Sequence, residues 1–96
     1  MKKIKNGWVT GSVQELLDLS PSDIEFIETR RELSRMFREE RKKQNLTQIA
    51  IAQRIGSSQS RVAKIEKGDS SVSLDLLFQS LYRLGLNRRK LLKMAR

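Results

Sequence analysis

From position 20 onward, apolar residues come in short helical runs, each fenced by a residue that starts or stops a helix. Ser20-Pro21 is the first firm punctuation. Serine caps free amides, proline suits the first helical position, and Asp23 follows near the positive helix end. The pattern predicts a helix from about Pro21 or Ser22 to Gln44, roughly 34 Å long at about 1.5 Å per residue. Ile27, Leu33, Met36 and Phe37 fall on or near one side of it, and Ile24 and Phe26 extend that surface at its start. Arg30, Arg31, Arg35, Arg38, Lys42 and Lys43 crowd the remainder. Asn45 tolerates the left-handed conformation and closes the helix, leaving Leu46 to anchor on the core.

Three further helices follow. Thr47 caps a run from Gln48 to Ile55, which Gly56 ends. Ser57 or Ser58 starts the next, with Val62 and Ile65 at the spacing of a buried face, and Gly68-Asp69 breaks it. Ser71 or Ser73 caps the fourth, Leu74 to Leu84, where Leu74, Leu77, Phe78, Leu81 and Leu84 form a strong stripe before Gly85. The basic tail from Asn87 to Arg96 suits one or two helical turns, with Leu91, Leu92 and Met94 as its apolar residues. Ahead of all this lies a mixed leader, residues 1–19, in which Trp8, Val9, Thr10 and Val13 suit a short strand or hook.

At 96 residues the chain holds one compact domain, not two full cores. It has no cysteine and no histidine, which excludes disulfides and metal sites built on thiolates or imidazoles. No run approaches the roughly 20 apolar residues of a membrane span, and no signal-length apolar run follows Met1-Lys2-Lys3. These features lead us to expect a cytoplasmic protein with no membrane partner and no cofactor. The net charge of +9 is unevenly placed. Residues 1–29 hold three lysines against five acids, a net of −2; residues 30–64 carry +7 and residues 65–96 carry +4. A basic, helical middle segment favours a polyanion as partner. Catalysis is not expected: Glu39 and Glu40 are sequential and cannot share a helix face as a metal clamp would.

Two short helices joined at Gly56 form a helix-turn-helix candidate on spacing. Ala50 and Ala52 suit close helix crossing, and Ile49, Ile55, Val62 and Ile65 are expected to fill the space between the helices. The second helix of such a unit enters the major groove by its N-terminal end, where Ser58, Gln59, Ser60 and Arg61 stand. Gln59 has the atoms to pair bidentately with adenine, and Arg61 with guanine if it points inward.

The segment Thr47-Gln48-x-x-x-Ala52-x-x-x-Gly56-Ser57-Ser58-Gln59-Ser60-x-Val62-x-Lys64-Ile65-Glu66-x-Gly68 resembles the helix-turn-helix of the Xre and phage-repressor/Cro family. The resemblance continues through Ser73-Leu74-x-x-Leu77 and Leu84-Gly85, and upstream through Arg38-x-x-Arg41 to Leu46. It implies an all-α, four- to five-helix, lambda-repressor-like domain with a long first helix and an N-terminal extension. It implies base reading by Ser58, Gln59, Ser60 and Lys64, and phosphate or mixed contacts by Thr47, Gln48, Arg61 and Lys67. Gln48 also braces a recognition-helix residue, and Arg41 and Glu66 form a partly buried ion pair. Three departures stand out. Ser57 replaces a small apolar residue, Arg61 replaces a smaller one, and the stretch Gly68 to Val72 lacks the family's frequent proline.

Residues 1–20 read as an extension, 21–86 as the DNA-binding domain, and 87–96 as a basic tail or short helix. The acidic-leaning leader, with its Leu-Ser-Pro entry to a long helix, resembles antitoxins of the HigA type. That resemblance implies a RelE/HigB-like toxin, a ribosome-dependent mRNA interferase, as a protein partner, together with repression of the chain's own operon. The alternative is an Xre-type regulator without a toxin partner. Trp8 is either an intrachain anchor or a contact with another chain, and Leu16, Leu17 and Leu19 carry the same choice. One recognition helix supplies about four base readers, so a homodimer on an inverted repeat in double-stranded DNA is expected.

Overall fold

Each helix begins with a hydroxyl or amide side chain that takes over a backbone donor no helical carbonyl can reach. The computed structural model describes residues 19–94. Within them run α1 (Pro21–Lys43), α2 (Gln48–Ile55), α3 (Gln59–Lys67), α4 (Leu74–Leu84) and α5 (Arg88–Met94). Ser20, Thr47, Ser58 and Ser73 accept from the amides of Asp23, Ala50, Arg61 and Leu76 at 3.0 to 3.2 Å. Asn87 does the same for Lys90 at 2.8 Å. At Ser20 the favour is returned, because the Asp23 carboxylate accepts from the Ser20 amide and completes a capping box. That bond to the Ser20 backbone, with a second from its hydroxyl, holds the Asp23 carboxyl below its ordinary range.

The ends are as uniform as the starts. In α1 to α4 a left-handed residue follows the last turn, and the next amide reaches back to a carbonyl five residues earlier. The pairs are Leu46 to Arg41, Ser57 to Ala52, Asp69 to Lys64 and Leu86 to Leu81, at 2.8 to 3.2 Å. Glycine fills the left-handed position in three cases, and Asn45, at φ 59°, fills the first. At Gly56, φ 70°, a Cβ would meet no neighbour within 4 Å. The backbone angle, not crowding, therefore selects glycine there.

The core is a single cluster. Leu33, Met36 and Phe37 from α1 meet Ile51, Ala52 and Ile55 from α2, Val62 and Ile65 from α3, and Leu77, Leu81 and Leu84 from α4. Leu91 of α5 joins it, and Leu46, Leu74 and Phe78 pack partly buried at its edge. Only the second half of α1 reaches this cluster. Its first half carries Phe26 at 49% exposure and Ile27 at 40%, so these residues extend an apolar surface without entering the core.

One apolar expectation is corrected. Ile49 does not fill the space between α2 and α3; it is 62% exposed. At about 100° per residue it lies some 200° from Ile51, off the arc of Ile51, Ala52 and Ile55 that faces inward. In the tail, Leu91 is buried and Met94, three residues on, packs against the core, while Leu92 is exposed. The residues read as a strand or hook, Trp8 to Thr10 and Val13, lie outside the described residues. Among the described residues, no helix is long and apolar enough to cross a membrane.

Ser57 sits where a small apolar side chain was expected, and its hydroxyl oxygen is buried without a hydrogen-bond partner among the described residues. An unpartnered buried hydroxyl destabilises by about 1–3 kcal/mol. Ser57→Ala should therefore raise the stability of the fold by about 1 kcal/mol in a urea titration, with an unchanged slope.

Candidate nucleic-acid interface

Residue 66 is the only acid buried among the described residues. A carboxylate in that position demands a cation and hydrogen-bond donors. Arg41, in the last turn of α1, supplies the cation. Its Nε lies 2.5 Å from Glu66 Oε2 and its Nη2 lies 3.0 Å from Oε1, a two-pronged contact that joins α1 to the end of α3. The remaining Arg41 nitrogen donates to the Leu46 carbonyl at 2.9 Å and so holds the α1–α2 turn as well. Arg38, one turn earlier, donates to the backbone carbonyl of Glu66 at 2.8 Å.

Arg41 leaves acceptor capacity on the carboxylate, and Gln48 at the start of α2 takes it. Gln48 Nε2 donates to Glu66 Oε1 at 3.0 Å, and Gln59 Nε2 in turn donates to Gln48 Oε1 at 2.7 Å. The direction of this relay has a physical origin. An ionised carboxylate only accepts, so the Gln48 amide must turn its nitrogen inward and its oxygen toward Gln59. Gln59 must then donate in its turn. Its own carbonyl oxygen and second N–H remain outward, a donor–acceptor pair that matches the major-groove edge of adenine.

α3 divides cleanly around its axis. Val62, Ile65 and Glu66 are buried, while Gln59, Ser60, Arg61, Lys64 and Lys67 are exposed. Ser60, Lys64 and Lys67 recur at i, i+4 and i+7 and therefore share one stripe. The Ser58 hydroxyl is engaged as the helix cap, leaving its own O–H free to donate outward. Thr47 likewise caps α2 from an exposed position. Arg61 stands on the flank of α3 beside a hollow of about 340 Å³ lined by Ser58, Ser60, Lys64 and Ser71. Of the residues singled out as contacts to another chain, Leu19 is half-buried, and Trp8, Leu16 and Leu17 lie outside the described residues.

Several ties escaped sequence reasoning. Gln44 Nε2 donates to the Leu84 carbonyl at 3.0 Å, and Arg83 Nη1 to the Ile55 carbonyl at 3.1 Å. Arg30 reaches the Val72 carbonyl and lies over the Phe26 ring at 5.4 Å. Each joins a side chain to a distant backbone carbonyl, and carbonyls carry no residue-type signal. The link from Gln48 to Glu66 had a signal: a carboxylate offers about four acceptor sites, more than one guanidinium fills.

A helix-turn-helix family model matches residues 37–79, from the second half of α1 into α4. No curated protein and no solved structure matches the chain. The matched span contains every member of the relay, Arg41, Gln48, Gln59 and Glu66.

Glu66→Ala should cost about 3–5 kcal/mol, since it leaves the Arg41 charge buried and unpaired. Replacing both partners, with Arg41→Met and Glu66→Leu together, should cost much less than the two single changes summed. A double-mutant cycle by urea unfolding checks this; simple additivity would deny the coupling.

Proposed function

Taking the helix-turn-helix at residues 37–79 as the starting point, we propose that this chain is a sequence-specific DNA-binding transcriptional repressor of lambda-repressor-like architecture. The observation that carries this reading is the relay from Glu66 through Gln48 to Gln59. It spends a buried charge on orienting an amide at the exposed, N-terminal end of α3. In this reading α3 lies in the major groove, with Ser58, Gln59, Ser60 and Lys64 at base edges. Thr47, Gln48, Arg61 and Lys67 make phosphate or mixed contacts. Residues 21–86 act as the DNA-binding domain, 1–20 as an extension and 87–96 as its basic end. The protein works in the cytoplasm as a homodimer on an inverted repeat, without cofactor or catalysis.

The finer identity we propose is an antitoxin of a HigBA/RelE-like operon, which neutralises a ribosome-dependent mRNA interferase and represses its own transcription. The first half of α1 supports it. Asp23, Glu25 and Glu28 share that segment with exposed Phe26 and Ile27, and no basic residue precedes Arg30 within the helix. An acidic and apolar surface of this kind suits a basic protein partner, while the basic remainder of the chain suits DNA.

Gln59→Ala should weaken binding to an operator selected from a random pool by about ten-fold or more, while leaving affinity for unrelated DNA nearly unchanged. Both affinities are measured at one salt concentration; equal losses on both DNAs would remove the base-reading role. Purification of the natively expressed chain should recover a tightly held basic protein of toxin size. Recovery of a homodimer with DNA and no second protein would favour the regulator without a toxin partner.

A further inference from the structure

Between the middle of α1 and the end of α3 lies a hollow of about 450 Å³, with Arg31, Arg35, Arg38 and Lys67 among its lining. On α1 these cations belong to a longer stripe. Arg31, Arg35, Arg38 and Lys42 recur at i, i+4, i+7 and i+11, which places them on one face over about 16 Å. The helix-turn-helix relay uses none of the four side chains.

The carboxylates around the hollow are already taken. Glu66 is held by Arg41, and Arg35 binds both Glu32 and Glu39. The hydrogen bond from Arg35 keeps the Glu32 carboxyl ionised below its ordinary range. Glu28 meets Arg31 only at 4.0 Å, with 75% of the Arg31 side chain exposed. Arg38 spends one nitrogen on a carbonyl, and neither it nor Lys67 forms an ion pair among the described residues. The hollow therefore has cationic capacity to spare, and the chemistry it suits is phosphate.

Position decides which phosphate. Lys67 lies on the same stripe of α3 as Ser60 and Lys64, about 4.5 Å beyond Lys64 and about 10 Å beyond Ser60 along the axis. The longer separation is close to the roughly 12 Å width of the major groove. A duplex whose bases meet Ser60 at the start of α3 thus brings its backbone to Lys67 and the mouth of the hollow. The second hollow, beside Arg61, lies on the other flank of α3.

We propose that the hollow between α1 and α3 is a seat for the DNA backbone flanking the operator, with Arg31 and Arg38 as phosphate ligands beyond the helix-turn-helix contacts. The proposal rests on the DNA-binding reading above. It makes α1 part of the footprint, so the bound segment extends past the bases that α3 reads.

The test uses Arg31→Gln, an exposed change that leaves the core and relay untouched. Salt titrations are run on a duplex selected by the wild-type chain, once with long flanks and once trimmed flush to the selected motif. On the long duplex the variant should lower the salt slope by about one unit; on the trimmed duplex the wild type and variant should coincide. An unchanged slope on the long duplex, or an equal drop on both, overturns the seat. So does saturable binding of inorganic phosphate alone that Arg31→Gln abolishes, which would assign the hollow to a free anion. Failure of the wild-type chain to select any duplex overturns the DNA-binding reading itself, and is distinct from selection with an unaffected variant.

Discussion

The buried carboxylate of Glu66 is the constraint from which the interface follows. A charge at 6% exposure is tolerable only when donors surround it, and the three bonds to this carboxylate come from two other helices, α1 and α2. Arg41 ties α1 to α3, Gln48 ties α2 to α3, and Arg38 secures the adjoining backbone. Remove the charge and three helices lose their common point. Nothing in the apolar core duplicates this, because Val62 and Ile65 hold α3 in place without dictating its rotation at the exposed end.

The same residue links stability to the exposed end of α3. Since a carboxylate cannot donate, the hydrogen-bond direction propagates outward and leaves Gln59 with one defined pair of groups. A neutral amide at position 66 would accept and donate equally, and the chain of orientations would lose its origin. Burial of a charge is a poor way to gain stability, since apolar replacements often do as well or better. Its value here lies in polarity: it breaks the symmetry of two amides.

Helix boundaries were legible because caps are local. Ser20, Thr47, Ser58, Ser73 and Asn87 each act on an amide three residues away, and Asn45 and the glycines act within one turn, so a short window contains the whole cause. The stripe from Leu74 to Leu84 was legible for a similar reason: eleven residues give enough turns for the period to show. Ile49 was misplaced because α2 has only eight residues, too few for hydrophobicity alone to fix its inward arc. At the interface, residue types and spacing pointed to the exposed start of α3, and the family resemblance pointed to the Arg41–Glu66 contact. The relay joining them depended on a packing distance between two helix ends, and bonds such as Gln44 to Leu84 or Arg83 to Ile55 span 40 and 28 positions. No local pattern encodes those.

The relay also bears on how such a chain can diversify. Gln59 is held by Gln48, which is held by Glu66, so a change at any of the three disturbs the other two. Ser60 and Lys64 are different: both are exposed, and no hydrogen bond among the described residues engages either side chain. Under the proposed DNA-reading role, a lineage drifting toward a new target sequence would therefore vary first at Ser60 and Lys64, where exchange leaves folding intact. Position 59 would stay fixed until its supports moved with it. One part of α3 is free to wander, and the other carries an inherited anchor.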